Sequence, residues 1–327
     1  MNCVRGQRVL VSGMGGELGS LVAAMLEAEP WVGPIMGVDV DPPRRRLRRA
    51  TFHRIEPHRR DAIVDVVTDF DPHVLVHVAV WEPDARVGTS QARAFTDDAA
   101  IAFLGAAAEC RSLQSIVVRS GIEAYGRGRH SLTRPDEQAP LEPTSQYGRM
   151  VVGIEATARA TGQRVGVPVT ALRLAPVLGP HVPSPLGRLL RQPMVPFSLL
   201  GDAAFSVVHD DDAARAFVAA AERRVDAPVN VVGAGAITGL QAIARGRRIP
   251  VPLVGPEWML TRRLSHLIGA PIPEHVLEVL HRGRLADGSR AQALLGVSPK
   301  VSTIEVIDRL FAWESVVRMP GRAEAVA

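Results

Sequence analysis

A doubly wound parallel α/β fold is what this sequence predicts, and three observations predict it. Short apolar runs alternate with helical patterns over residues 8–232. The first run, Val9-Leu10-Val11, meets a turn with glycines at 13, 16 and 19, and a helix-forming stretch, Leu21 to Glu29, follows. A second run, Ile35-Met36-Gly37-Val38, leads into Asp39, 20 residues after Gly19. Together they give a Rossmann-type sheet with a smaller C-terminal lobe.

Taken along the chain, the apolar runs place strands at Arg8–Ser12, Ile35–Val40, Val74–Val78, Ser115–Ser120 and Val169–Leu174, with a later one at Val229–Val232. Helical spacing places helices at Leu18–Ala28, Arg60–Asp69, Gln91–Cys110, Tyr147–Thr161 and Asp211–Arg223, and a last one at Ile304–Arg318. Pro72 and Pro168 stand just before strands, where a helix must already have ended. Pro-rich connections at Gly179–Pro185 and Ile249–Pro256 mark a change of texture. The expected organisation is therefore a dinucleotide-binding domain over 1–178 with a return segment at about 206–234. Segments 179–205 and 235–327 supply the smaller substrate lobe and tail.

Each glycine of the first turn has a physical use. One permits the tight turn, one lets a pyrophosphate approach the backbone, and one lets helix and strand pack closely. The helix N-terminus then offers free N–H groups and partial positive charge to an anion. A tight turn without a ligand is the plainer alternative. The strand before it, the helix after it and Asp39 beyond favour a bound dinucleotide.

Composition narrows the class. The chain has 327 residues, is 46% hydrophobic and carries a formal charge of +4. It has no apolar stretch of the roughly 18 residues a bilayer span needs. The first strand starts near Gln7, leaving no room for a signal peptide, and the two cysteines, Cys3 and Cys110, make no disulfide framework. A cytoplasmic protein is expected. Of the 38 basic residues a single one, Lys300, is lysine. The densest basic run, Arg44-Arg45-Arg46-Leu47-Arg48-Arg49, reads as a solvated helix face near the adenosine end of the ligand, or as a phosphate contact. No interleaved aromatics support nucleic-acid binding. Trp258–Leu264 reads as packing of the small lobe, with a lipid-touching surface as the alternative.

The sequence resembles the extended short-chain dehydrogenase/reductase family, in its NAD-dependent epimerase/dehydratase branch, from Val9 to about Phe311. The resemblance rests on Gly13/Gly16/Gly19 and on Asp71-Pro72-His73-Val74-Leu75-Val76-His77-Val78-Ala79. It extends through Ala124-Tyr125-Gly126, Asp136-Glu137, Pro140, Pro143, Tyr147-Gly148, Glu155, Arg173-Leu174 and Gly179-Pro180. Later landmarks are His209 to Ala214, Ser289-Arg290, Leu294-Leu295-Gly296 and Pro299. It implies NAD contacts from Gly13, Met14, Gly15, Gly16, Glu17, Leu18 and Gly19, with Asp39 on the adenine ribose, Asp61 at the adenine and Ala79 under the adenosine. The negative charge of Asp39 favours NAD, while the nearby arginines keep NADP open. Pairing through Gln91–Cys110 and Tyr147–Thr161 would make a homodimer.

The family's catalytic set is a tyrosine, a lysine four residues later and a serine or threonine on the preceding strand. Here Tyr147 is present, Val151 takes the lysine position and Gly121 the serine position. Arg149 lies about 200° around the helix from Tyr147 and faces elsewhere. Ser120 should face the side opposite Gly121 unless a bulge returns it, which leaves it a candidate. An unassisted tyrosine has a pKa of about 10, and bringing it to 7 takes about 4 kcal/mol. Pro176 and Phe205 stand where sugar-nucleotide epimerases usually have asparagine and a diphosphate-gripping arginine, and neither can do those jobs. His209-Asp210-Asp211-Asp212 reads as a helix N-cap rather than a metal site, and His130 as a loop histidine with an acid/base role as the alternative.

The resemblance implies an NAD-binding epimerase/dehydratase-like oxidoreductase using Tyr147 in a modified site on a small molecule, sugar-related or otherwise. A non-catalytic NAD-binding sensor or partner-binding protein is the alternative. An oxidoreductase for a lipid-like apolar substrate, with a pocket around Phe205 and Trp258, is a third.

Overall fold

The computed structural model describes residues 6–128, 131–199, 201–253 and 272–313. Seven parallel strands form the central sheet: β1 (Gln7–Ser12), β2 (Val32–Asp39), β3 (Ala50–Arg54), β4 (Val74–His77), β5 (Ser115–Gly121), β6 (Val169–Leu174) and, later in the chain, Ala227–Val231. Val9–Val11, Val74–Val76 and Ile116–Val118 are fully buried, as expected of strands covered on both faces. Helices α1 (Glu17–Leu26), α2 (Arg60–Phe70), α3 (Thr89–Ala108) and α4 (Gln146–Val165) connect them. The spatial order runs β3-β2-β1-β4-β5-β6 and then Ala227–Val231. Chain direction across the sheet therefore reverses between β1 and β4, and a crevice opens at their C-terminal ends.

Among the described residues a short 3-10 turn, Ile122–Tyr125, follows β5, and the other elements lie between β6 and Trp313. They are β7 (Val177–Leu178), α5 (Pro185–Leu190), β8 (Met194–Ser198), β9 (Ala204–Phe205), β10 (Val208–His209), α6 (Asp210–Arg223), β11 (Ala227–Val231), β12 (Ile237–Thr238), α7 (Gly239–Arg245), β13 (Ile249–Leu253), α8 (Glu274–Arg282), α9 (Ser289–Leu295) and α10 (Thr303–Ala312). Phe197, Phe205, Ile243, Val276, Leu280 and Leu310 share a separate apolar core away from the large sheet.

Three expectations need correction. The Arg44–Arg49 run is an irregular loop, not a helix face. The backbone N–H groups of Arg48, Arg49 and Ala50 all donate to the Glu27 carboxylate at 2.9, 2.5 and 2.9 Å, which pins the segment to the end of α1 and feeds it into β3. The Pro-rich segment from Ile249 is a strand through Leu253, parallel to β8. A parallel partner on one side uses alternate N–H groups, as Ile249 donates to Pro193, so Pro250 and Pro252 leave an edge strand intact. The last helix ends at Ala312, because Trp313 adopts extended geometry. Trp258–Leu264, His130 and Cys3 lie outside the described residues.

Candidate active site

The crevice begins at the glycine turn. Gly13 has φ +81°, its N–H donates to Val38 at 3.0 Å, and a Cβ there would approach the Ala79 nitrogen to 2.6 Å. A Cβ at Gly19 would run into the Gly13 carbonyl. The fold itself requires both. Gly16 is different: an added Cβ would meet nothing nearer than the Gly13 carbonyl at 3.4 Å, an ordinary contact. Packing within the protein therefore leaves room for a side chain at this N-cap, room that a ligand close to the backbone would take up. The N–H groups of Glu17, Leu18 and Gly19 follow it without intrahelical partners, the usual state of a helix start.

A cleft opens over this turn, lined by Gly13, Gly15 to Gly19, Asp39, Asp41, Ala79, Glu82, Arg86 and Arg119 among others. The Asp39 carboxylate accepts the N–H of Gly15 at 2.8 Å and of Val40 at 2.6 Å. Burial raises its pKa against those hydrogen bonds. Arginines stand beside it: Arg44 donates to the Gly15 carbonyl at 3.3 Å, and Arg86 lies 3.8 Å from Asp41. Two expected contacts are elsewhere. Met14 is fully buried with its thioether over Gly37, and Asp61 is exposed in the first turn of α2; neither lines the cleft.

Next to the cleft lies a much tighter cavity, and Glu82, Arg119 and Val177 line both. Its polar side is Glu82, Arg119, Glu123, Tyr147 and His275, and its apolar side includes Leu174, Pro176, Leu186, Val276 and Val279. Tyr147 enters from the first turn of α4, where the Ser145 hydroxyl caps the helix by accepting the Gly148 N–H. The Tyr147 and His275 rings lie 4.7 Å apart, and the His275 Nε2 is 3.0 Å from the Glu82 carboxylate. Burial pushes the Tyr147 phenol well above its ordinary value; Arg119 opposes this, while Glu82 and Glu123 reinforce it. Burial also raises Glu123, against Arg284 and His275. Both groups therefore hold their protons more tightly than they would in water.

The positions that depart from the family pattern acquire a structural meaning. Val151 is fully buried in the core, Arg149 is exposed and bonds the Thr144 carbonyl, and Lys300 is exposed far along the chain. The Glu123 carboxylate fills the space a Cβ at Gly121 would take. Ser120 borders the small cavity, yet its hydroxyl donates to Glu155 at 2.5 Å. Glu155 in turn pairs with Arg173 at 2.7 Å, and Arg173 donates to the Tyr125 hydroxyl at 2.9 Å, in a buried network. Phe205 is fully buried in the smaller core and does not line the cavity.

Arg119, Glu123, Glu82 and His275 were not anticipated. Strand alternation contains the signal for Arg119, which shares a face with Gly121. Glu82 and His275 come from segments 193 residues apart, and no local pattern announces their meeting. His209, Asp210 and Asp211 bring ligand atoms within 4.8 Å of one another. Their hydrogen bonds cap α6: the His209 Nδ1 accepts the Asp211 N–H at 3.2 Å. Among the described residues, no helix is long and apolar enough to cross a membrane.

Comparison with known proteins agrees with this architecture. An uncharacterized protein of Mycobacterium tuberculosis (strain ATCC 25618 / H37Rv) is 31% identical over 314 residues, covering 93% of this chain and 83% of the relative. The UDP-glucose 4-epimerase of Thermotoga maritima, solved with UDP-glucose, superposes with a TM-score of 0.72 at 19% identity, over 94% of this chain and 98% of that one. The UDP-glucuronic acid 4-epimerase of Bacillus cereus, solved with UDP-glucuronic acid and NAD, gives the same TM-score, identity and coverage. The dTDP-glucose 4,6-dehydratase of Bacillus anthracis, solved with NAD, gives 0.70 at 16% identity, over 94% and 96%. The model of the NAD dependent epimerase/dehydratase family matches residues 9–233, and the chain belongs to that family.

Proposed function

We propose that this protein is a nicotinamide-dependent oxidoreductase acting on a small hydroxyl- or carbonyl-bearing molecule, with Tyr147 as its proton-exchanging group. One observation carries the reading: the cleft over the glycine turn and the Tyr147 cavity share Arg119, Glu82 and Val177 as a common wall. A dinucleotide held by Gly13, Gly15 to Gly19, Asp39 and Ala79 would extend toward that wall. When bound it supplies a hydride donor or acceptor. Asp39 favours NAD because its carboxylate repels a 2′-phosphate; Arg44 and Arg86 make NADPH the competitor to test.

The chain's own residues then divide the work. The apolar wall holds the carbon body of the substrate and excludes water. Tyr147 gives a proton to a carbonyl oxygen or takes one from a hydroxyl. Glu123, in the space beside Gly121, offers a second hydrogen bond to that oxygen. The His275–Glu82 pair packs against the Tyr147 ring and fixes it. Because burial favours the neutral phenol, carbonyl reduction proceeds at neutral pH while hydroxyl oxidation gains from higher pH. Nicotinamide absorbance with a panel of alcohols and ketones tests this. Substrate-dependent turnover in the wild type, lost in Tyr147→Phe, supports it, and NADH binding without turnover favours a sensor. Val151 and Gly121 motivate that second reading, since both family positions have lost their functional groups.

For assembly we propose a homodimer through α3 and α4. Ile101 is 49% exposed on α3, and added Cβ atoms at Gly105 and Gly153 would meet nothing within 4 Å.

A further inference from the structure

We propose that Arg119 replaces the absent lysine: its guanidinium serves both the Tyr147 hydroxyl and the nicotinamide-ribose end of the bound dinucleotide. This rests on the oxidoreductase reading above and names the residue that would make it workable.

The argument starts from what Val151 removed. The lysine position on α4 is a buried valine, so no cation reaches Tyr147 from its own helix. Arg119 arrives instead from β5, one strand residue before Ser120 and therefore on the opposite face, the face of Gly121. Among the described residues it is the only arginine or lysine lining the Tyr147 cavity, and it lines the dinucleotide cleft as well. Its positive charge beside the Tyr147 hydroxyl favours the ionised phenol, against the effect of burial.

Most of its hydrogen-bonding capacity is left open toward the cleft and the cavity. The guanidinium has five N–H donors in a fixed fork. One terminal nitrogen donates to the Val80 carbonyl at 3.2 Å, which anchors the side chain at the end of β4. The Nε is buried and has no partner. Covered by protein, the Nε cannot itself meet a ligand, so the remaining terminal N–H groups of a side chain that lines both cleft and cavity are the donors a bound group would use. The hydroxyls of a nicotinamide ribose are acceptors of the right kind for a group on the wall between cleft and cavity. The fork lets one cation address two acceptors, where a lysine ammonium acts as a point charge. The relocation also agrees with the near absence of lysine from the chain.

The test compares NADH with AMP, which carries only the adenosine end, in the wild type, Arg119→Met and Arg119→Lys. Expected results are a loss of about tenfold or more in NADH affinity for Arg119→Met, unchanged AMP affinity, and partial recovery in Arg119→Lys. With a turnover substrate, the alkaline limb of the pH profile moves up by about one unit or more in Arg119→Met. Wild-type NADH affinity in Arg119→Met overturns the proposal, as does equal loss of NADH and AMP, which would mean general damage to the fold. Should Arg119→Met fail to fold, Arg119→Gln takes its place under the same criteria. Wild-type protein that binds NADH but turns over nothing overturns the redox reading alone, while Arg119 is still judged on the two ligands. Wild-type protein that binds neither overturns both.

Discussion

Replacing Gly16 with alanine separates what the fold needs from what a ligand needs. Gly16 sits at the N-cap of α1 with φ −72° and ψ 161°, a conformation alanine adopts freely. Its added methyl would touch only the Gly13 carbonyl, at 3.4 Å. Losing glycine at an N-cap costs up to about 1 kcal/mol. Restricting the unfolded chain returns about 0.4–1 kcal/mol, so the two nearly cancel and the melting temperature should move by a few degrees at most. Binding should suffer far more. A methyl at this point displaces a pyrophosphate from the N–H groups of Glu17 and Leu18. Hydrogen bonds to a charged group contribute about 1.5–3 kcal/mol each, so losing one weakens NADH by about 10- to 100-fold. Gly19→Ala is the contrasting control, because its methyl meets the Gly13 carbonyl and should lower stability first. Thermal melts and fluorescence titration with NADH read both effects. Wild-type NADH affinity in a normally folded Gly16→Ala protein would refute the reasoning.

Tyr147→Phe should lower turnover by about 100-fold or more while leaving NADH affinity within about twofold, by steady-state rates and titration. With Tyr147 held neutral by burial, the oxidation rate in wild type should climb with pH through the alkaline range, while carbonyl reduction should stay level because the phenol keeps its proton. Glu155→Ala strands Arg173, which is 2% exposed, and should cost about 3–5 kcal/mol in urea unfolding while also releasing the Ser120 hydroxyl. For the proposed dimer, Gly153→Arg should give monomer in sedimentation where the wild type gives dimer, with the fold intact by circular dichroism, since its Cβ direction is open.

The large sheet was legible because its interior strands are continuous apolar runs that only a twice-covered strand can satisfy. The turn at Gly13–Gly19 was legible because two of its constraints lie within it, the positive φ of Gly13 and the approach of Gly19 to the Gly13 carbonyl. β3 was not, since Ala50–Arg54 is an exposed edge strand held by Glu27, a contact made across 23 residues. β13 was hidden by Pro250 and Pro252, which an edge strand tolerates and a central one does not. Within the site, Tyr147 and the loss of its helix-borne lysine could be read at a spacing of four residues. Arg119 was readable in principle from strand alternation, once Gly121 was recognised as facing the cavity. Glu82 and His275 were not readable at all, because tertiary packing alone brings α8 against α4.

A crystal structure of the protein with NADH decides the reading most directly. The nicotinamide end should lie on the wall shared by cleft and cavity, with its ribose against Arg119 and the Tyr147 hydroxyl facing the ring. A nicotinamide directed away from that wall contradicts the reading. So does a ring with no polar side chain within about 4 Å of the place a substrate oxygen must occupy.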